Sequence, residues 1–223
     1  MEASLTFDDP LISAYRVHCQ AYKRGYTVRQ IVAEMLGKAN GATQGKGGSM
    51  HYYKKDTNFY GGNGIVGAQI PVGVGLAFAL KYRNQKNVAS IMFGDGAANQ
   101  GQLFESANMA KLMNLPALFI CENNIYGMGT SVERASMNPF FYTRGDRIPG
   151  IRADGNNIFQ VREVIKFAKK WSIENGPLFL EFMTYRYHGH SMSDPGTTYR
   201  SRDEVQSHRK TTDPIVKLGL IMI

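Results

Sequence analysis

Three polar stretches in this 223-residue chain carry groups that could do chemistry, and each follows a short apolar run. Gly94-Asp95-Gly96 comes after Val88 to Phe93, and Glu122-Asn123-Asn124 after Ala117 to Cys121. Thr184-Tyr185-Arg186-Tyr187-His188-Gly189-His190 comes after Leu178 to Met183. A carboxylate, a side-chain amide oxygen and a backbone carbonyl are hard oxygen donors, the kind magnesium collects to fill a shell of about six. The glycines beside Asp95 let backbone come close to a ligand. Taken singly, Asp95 reads as a turn residue and Asn123-Asn124 as a helix cap or turn. Their joint placement, each just past a strand-like run with positions 97 to 122 between them, favours a site.

Two other glycine-rich stretches look chemical and are discounted. Gly62-Asn63-Gly64-Ile65-Val66-Gly67 spells the dinucleotide fingerprint, but no strand is read before it and position 87, where an acid is wanted, is Asn. Gly45-Lys46-Gly47-Gly48-Ser49 has a phosphate-loop flavour, but Asn40 stands where the first glycine is needed, and neither Ser nor Thr follows Lys46.

The elements that must position these groups alternate. Thr27 with Gln30 makes a capping box, and Val28, Ile31, Val32 and Met35 repeat at helical spacing, which predicts a helix over 27 to 36. Nine glycines between Gly37 and Gly67 predict loops with close backbone approach. The three apolar runs are strand-length and do not alternate, as strands buried on both faces do not. Between them lie Leu103, Phe104, Ala107, Ala110 and Met113, then Val161, Val164, Ile165, Ala168 and Trp171, both at helical spacing. The pattern predicts an α/β fold with a parallel sheet flanked by helices. Ligands of such sheets bind beyond the carboxyl ends of the strands, so the three polar stretches should converge on one edge.

The Gly-Asp-Gly, spacer, Asn-Asn pattern resembles the thiamine diphosphate motif, in which a strand-helix-strand unit brings Asp and Asn to neighbouring strand ends. Gly94-Asp95-Gly96-Ala97-Ala98-Asn99-Gln100-Gly101, the run from Glu122 to Arg134 and the run from Tyr185 to Gly196 are similar to the alpha subunits of the thiamine-diphosphate-dependent 2-oxo acid dehydrogenases, specifically the pyruvate dehydrogenase decarboxylase component. The similarity extends from about residue 2 to residue 217. The branched-chain alpha subunits usually differ after Gly-Asp-Gly and lack Tyr-Gly-Met-Gly-Thr-Ser, so the resemblance points to pyruvate.

That resemblance implies a thiamine-diphosphate-binding fold over 1–223 and a set of roles by position. Asp95, the side chain of Asn124 and the carbonyl of Tyr126 would bind magnesium. Gly96 and Ala97 would contact the pyrophosphate, and Tyr15 and Arg16 would reach the same phosphates. Gly64 and Val66 would hold the aminopyrimidine through backbone groups. His190 would sit at the cofactor and substrate channel, as the catalytic residue. Asn123 would be structural, and His188 is either a packed loop histidine or a direct participant. The implied reaction is oxidative decarboxylation of pyruvate with transfer of the acetyl unit to lipoyl groups. The implied partners are a beta subunit in an alpha2-beta2 heterotetramer, a lipoyl-bearing acetyltransferase, and a regulatory kinase and phosphatase acting at Ser191 and at Ser131. A third such position falls at Thr198, where the family usually has serine. The implied address is the mitochondrial matrix.

Composition excludes some alternatives. Hydrophobic residues make up 43% of the chain, too many for a disordered one. The net charge of +8 is dispersed in pairs such as Lys54-Lys55, with no basic cluster or RNA-recognition signature, so no nucleic acid is expected. No apolar run nears the ~20 residues of a membrane span. Two cysteines suggest a reducing interior rather than a disulfide scaffold. The N-terminus is acidic where a transit peptide would be Arg-rich, so no address is visible. Compared with the family, the chain lacks helical regions at both ends and carries a small insertion near Lys54 to Thr57. It is expected to be truncated, and the alternative reading is a non-catalytic alpha-like subunit that binds beta subunits or kinases without turnover.

Overall fold

The apolar runs become central strands because both faces of the sheet are covered. The computed structural model describes residues 1–222. Its strands are β1 (Leu11–Ile12), β2 (Ala89–Gly94), β3 (Ala117–Asn123), β4 (Tyr126–Gly127), β5 (Thr130–Ser131), β6 (Gly150–Asp154) and β7 (Leu178–Met183). All but β4 and β5 join one parallel sheet in the order β1-β2-β3-β7-β6, while β4 and β5 form a separate antiparallel hairpin. The helices are α1 (His18–Lys23), α2 (Val28–Met35), α3 (Gln69–Tyr82), α4 (Gly101–Leu112), α5 (Val132–Ala135), α6 (Ile158–Asn175), α7 (Arg202–Thr212) and α8 (Pro214–Met222).

Successive strand residues alternate between two cores. Ile91, Phe93, Phe119, Cys121 and Phe179 cluster with Ile70 and Val74 of α3 and Leu103 and Ala107 of α4. Phe119 and Phe179 stack across β3 and β7, their ring centres 4.7 Å apart. Met92, Leu118, Ile120, Leu180 and Phe182 cluster with Ile165 and Ala168 of α6, Ala21 of α1 and Ile31 of α2. The expected α/β architecture is therefore present, with helices on both faces. The Thr27–Gln30 capping box forms as read from the sequence.

Several elements were not legible in the sequence. Helix α3 has apolar residues all round, so it shows no amphipathic period. It packs on both β2 and α4. A Cβ at Gly73 would lie 2.5 Å from Ile91 Cγ1, so helix and strand meet at that glycine. Strand β1 is only two residues long, and β6 is an edge strand with Arg152 exposed and polar residues among the apolar ones. The stretch near Lys54 to Thr57 forms a single turn of 3-10 helix, whose Thr57 carbonyl accepts from buried Arg24 at 2.7 Å.

Candidate functional site

Strands β2, β3 and β7 are adjacent and parallel, with Gly94 opposite Glu122 and Glu122 opposite Phe182. The three polar stretches that follow them therefore do leave one edge of the sheet together. Asp95 sits in the turn after β2 and is 3% exposed. Its Oδ1 accepts from the Asn124 backbone N–H at 3.4 Å. Burial pushes the Asp95 carboxyl above its ordinary value, against the Asn124 N–H and the charges of Arg186 and Arg16. Asn124 Oδ1 is buried and has no hydrogen-bond partner among the described residues. The hairpin that follows closes over the pair. A Cβ at Gly127 would stand 3.2 Å from Gly96 Cα and 3.6 Å from Asp95 Oδ2.

An under-satisfied carboxylate, an amide oxygen without a donor and a glycine lid make a donor set that suits a hard divalent cation. Among the described residues, no group of three or more His, Cys, Asp or Glu could hold a metal by itself. Any metal here must use mixed oxygen donors. The Tyr126 carbonyl, the third expected ligand, accepts from Arg186 Nη1 at 3.3 Å. Asn123 is turned inward and donates to buried Glu181 at 2.7 Å, which ties β3 to β7.

The third polar stretch is held by residues the sequence reading passed over. Arg186 is 9% exposed and serves five groups. It reaches the carbonyls of Tyr126, Met128 (2.6 Å) and His188 (3.1 Å), the Tyr199 hydroxyl (2.8 Å) and His190 Nδ1 (3.5 Å). Arg200 donates to the carbonyls of Arg186, His188 and Gly196. Asp194 accepts from the His190 backbone N–H and from the Tyr199 hydroxyl, both at 2.7 Å, and these bonds hold its carboxyl down to about 2. The sequence signal for this bonded loop was Asp194-Pro195-Gly196, a turn signature.

His190 faces two polar side chains from distant parts of the chain. Its Nδ1 lies 3.4 Å from the Tyr15 hydroxyl and 3.5 Å from Arg186 Nη1. Burial and the nearby Arg186 and Arg16 lower its pKa. An Nδ1 that faces an obligate donor is an acceptor, which leaves the proton of the neutral ring on Nε2. Arg16 is exposed and lies over the Tyr15 ring at 5.3 Å. His188 is exposed, so it is not a packed histidine, and only its carbonyl joins these bonds. Gly96 and Ala97 lead into a 3-10 turn (Ala97–Asn99) ahead of α4. Gly64 and Val66 lie in the loop before α3, with Val66 48% exposed. Among the described residues no strand directly precedes that loop, only isolated bridges of Phe59 to Leu11 and to Lys54, so the dinucleotide spelling has no strand to open from. Ser191 is exposed in the bonded loop, with its Oγ 3.1 Å from Ser193 Oγ. Ser131 caps α5, and Thr198 is exposed.

A parallel sheet covered by helices on both faces, with polar loops beyond its strand ends, defines a class, the α/β proteins whose ligands bind at that edge. Comparison with known sequences places the chain further. Residues 1–223 match the family described as Dehydrogenase E1 component, and the chain belongs to that family. It is 54% identical over 223 residues to the mitochondrial pyruvate dehydrogenase E1 component subunit alpha of Solanum tuberosum, covering 100% of this chain and 57% of that protein. It is 59% identical over 216 residues to the probable counterpart of Caenorhabditis elegans, covering 96% and 54%. The Chaetomium thermophilum subunit is 57% identical over 219 residues, covering 98% and 53%. The chain thus spans a little over half the length of these relatives.

Proposed function

We propose that residues 1–223 form the thiamine-diphosphate-binding domain of a pyruvate dehydrogenase decarboxylase component alpha subunit, acting in the mitochondrial matrix. The observation that carries the reading is the orphaned Asn124 Oδ1 beside a buried, under-satisfied Asp95. Those two groups, with the Tyr126 carbonyl, would hold magnesium. Arg16 supplies the positive charge a diphosphate needs, with Tyr15 beside it, and Gly96 and Ala97 offer close backbone. Gly64 and Val66 would meet the aminopyrimidine. Bound there, thiamine diphosphate supplies the electron sink for decarboxylation of a 2-oxo acid.

The protein's share is placement and proton control. His190, held neutral with its proton on Nε2, is poised to donate at the mouth of the site and to take the proton back. The Arg186 and Asp194 bonds fix that ring and the loop that bears it. Pyruvate is the substrate and a lipoyl group on the acetyltransferase is the acceptor of the acetyl unit. A beta subunit completes the site in an alpha2-beta2 assembly, and a kinase and phosphatase act on the exposed Ser191. A phosphate there adds about −1.5 to −2 charge next to a bound diphosphate and so opposes it. The names of the relatives support the pyruvate assignment.

The test is calorimetry with thiamine diphosphate and magnesium on the chain co-expressed with a beta subunit. Saturable heat that disappears when magnesium is withheld is the expected result. No heat and no complex would defeat the proposal.

A further inference from the structure

The glycine-rich stretch with a phosphate-loop flavour does bind an anion, and the anion is the protein's own. Glu34, on α2, has a fully buried side chain. Its Oε2 accepts from the backbone N–H groups of Thr43 (2.7 Å) and Gly45 (2.9 Å), and its Oε1 from that of Gly47 (2.6 Å). Gln44 and Gly45 are in the left-handed region, at φ 60 and 78, and alternate N–H groups, those of Thr43, Gly45 and Gly47, turn inward on the carboxylate to make an anion-binding concavity, or nest. Side chains would not fit. A Cβ at Gly41 would lie 2.4 Å from Glu34 Oε2, and one at Gly47 would lie 2.1 Å from the His51 carbonyl oxygen. Burial would raise the Glu34 carboxyl, but the bonds from Thr43, Gly45 and Gly47 outweigh it and hold it at about 2.

The nest is linked by two bonds to the wall of the candidate site. His51 N–H donates to the Gly47 carbonyl at 3.2 Å, and Thr43 Oγ1 donates to the His51 carbonyl at 3.2 Å. Met50 and His51 therefore hang from the same turn that Glu34 grips. They press on the loop that carries Gly62 and Gly64. A Cβ at Gly62 would come 2.3 Å from the Met50 carbonyl oxygen and 2.8 Å from that of Ala14, the neighbour of Tyr15. A Cβ at Gly64 would come 3.3 Å from Met50 Cε and 3.5 Å from His51 Nε2. Helix α2 is a firm base for this lever, being capped at Thr27 and receiving the Tyr52 hydroxyl on its Ile31 carbonyl.

We propose that Glu34 is a positioning residue for the cofactor site: its carboxylate fills the nest of Thr43 to Gly47 and so sets Met50 and His51 against Gly62 and Gly64. The role rests on the thiamine diphosphate reading above. Glu34→Ala empties the nest and leaves a space that free acetate can enter.

The experiment uses the chain co-expressed with a beta subunit and reads three quantities. These are the affinity for thiamine diphosphate at saturating magnesium, the rate of tryptic cleavage after the exposed Lys46, and the melting temperature. In Glu34→Ala, cofactor affinity falls and cleavage quickens, each by about tenfold, the worth of one charge-assisted bond. Sodium acetate restores both in the variant and leaves the unaltered protein unchanged. Should Glu34→Ala not fold, Glu34→Gln, which keeps the shape, loses the charge and leaves no room for acetate, is read on cofactor affinity and cleavage alone, and both should change in the same directions. A variant of either kind that binds the cofactor as tightly as the unaltered protein overturns the inference, as does a Glu34→Ala whose loss acetate does not reverse, because a purely structural role gives that pattern. If the unaltered complex binds no thiamine diphosphate, the cofactor reading falls and this role falls with it.

Discussion

Exchanging Asp95 for asparagine should move stability in opposite directions with and without ligand. The side chain is 3% exposed, and the one bond it receives from another residue, the Asn124 N–H at 3.4 Å, is long. Burial raises its pKa, only partly offset by Arg186 and Arg16. An acid whose folded pKa exceeds its unfolded value binds its proton more tightly when folded. The ligand-free chain is then most stable below the unfolded value and loses that stability as pH rises through the raised one. At neutral pH the buried charge is a cost, and leaving a buried polar group short of partners is worth about 1–3 kcal/mol. Asparagine keeps the shape, drops the charge and still needs partners, so recovery of about 1 kcal/mol is expected. For a chain of this size that raises the melting temperature by about 2–4 °C. Ligand reverses the order. Thiamine diphosphate with magnesium at about 100 times the dissociation constant adds about 2.7 kcal/mol to the unaltered protein, or about 5–10 °C. Asp95→Asn, deprived of its metal-binding carboxylate, should gain almost none of that. Thermal melts at pH 7 and at pH 4, with and without ligand, read all of this, and the ligand-free difference should shrink at acid pH. If Asp95→Asn melts below the unaltered chain at pH 7 without ligand, or keeps the full ligand-dependent rise, the reasoning about this carboxylate is wrong.

Gly127→Ala puts a methyl 3.2 Å from Gly96 Cα and 3.6 Å from Asp95 Oδ2, at a glycine whose backbone is not left-handed. Stability should fall by about 1 kcal/mol, the low end for overpacking, while magnesium-dependent cofactor affinity, read by calorimetry, should fall by about tenfold or more. The two cysteines should part company under alkylation. Cys19 is exposed, whereas Cys121 is fully buried with its thiol pushed well above the ordinary range. Mass spectrometry of the folded chain with iodoacetamide should find Cys19 alone modified, and denaturant should add Cys121.

Much of the site's address was legible without coordinates, because a short window encodes it. The three apolar runs named β2, β3 and β7 to within a residue or two, and the polar residues that follow each do leave one edge together. Asp95 and Asn124 were found this way, and Thr27–Gln30 announced α2. Elements with weak local signals do not show in the sequence. Helix α3 carries no amphipathic period because its exposed face is apolar too, with Val72 and Phe78 about half exposed, and β1 is too short to show any period. The Gly45 to Ser49 stretch, refused as a nucleotide motif on its spelling, overlaps a concavity that Glu34 fills. The sequence held no sign that Glu34, nine residues before Thr43, would fill it.

By itself, then, the sequence determined which segments become β2, β3 and β7 and the helices α2, α4 and α6, and which polar residues stand at those strand ends. Those choices follow from periodicity, caps and glycines acting within a few residues of each other. Only the tertiary structure decided how the site is braced. Arg186 reaches Tyr126 across 60 positions, Asn123 reaches Glu181 across 58, and Tyr15 reaches His190 across 175. Buried donors and acceptors must find partners, but which partner each finds depends on how strands β2, β3 and β7 stack side by side, and no window of sequence contains that.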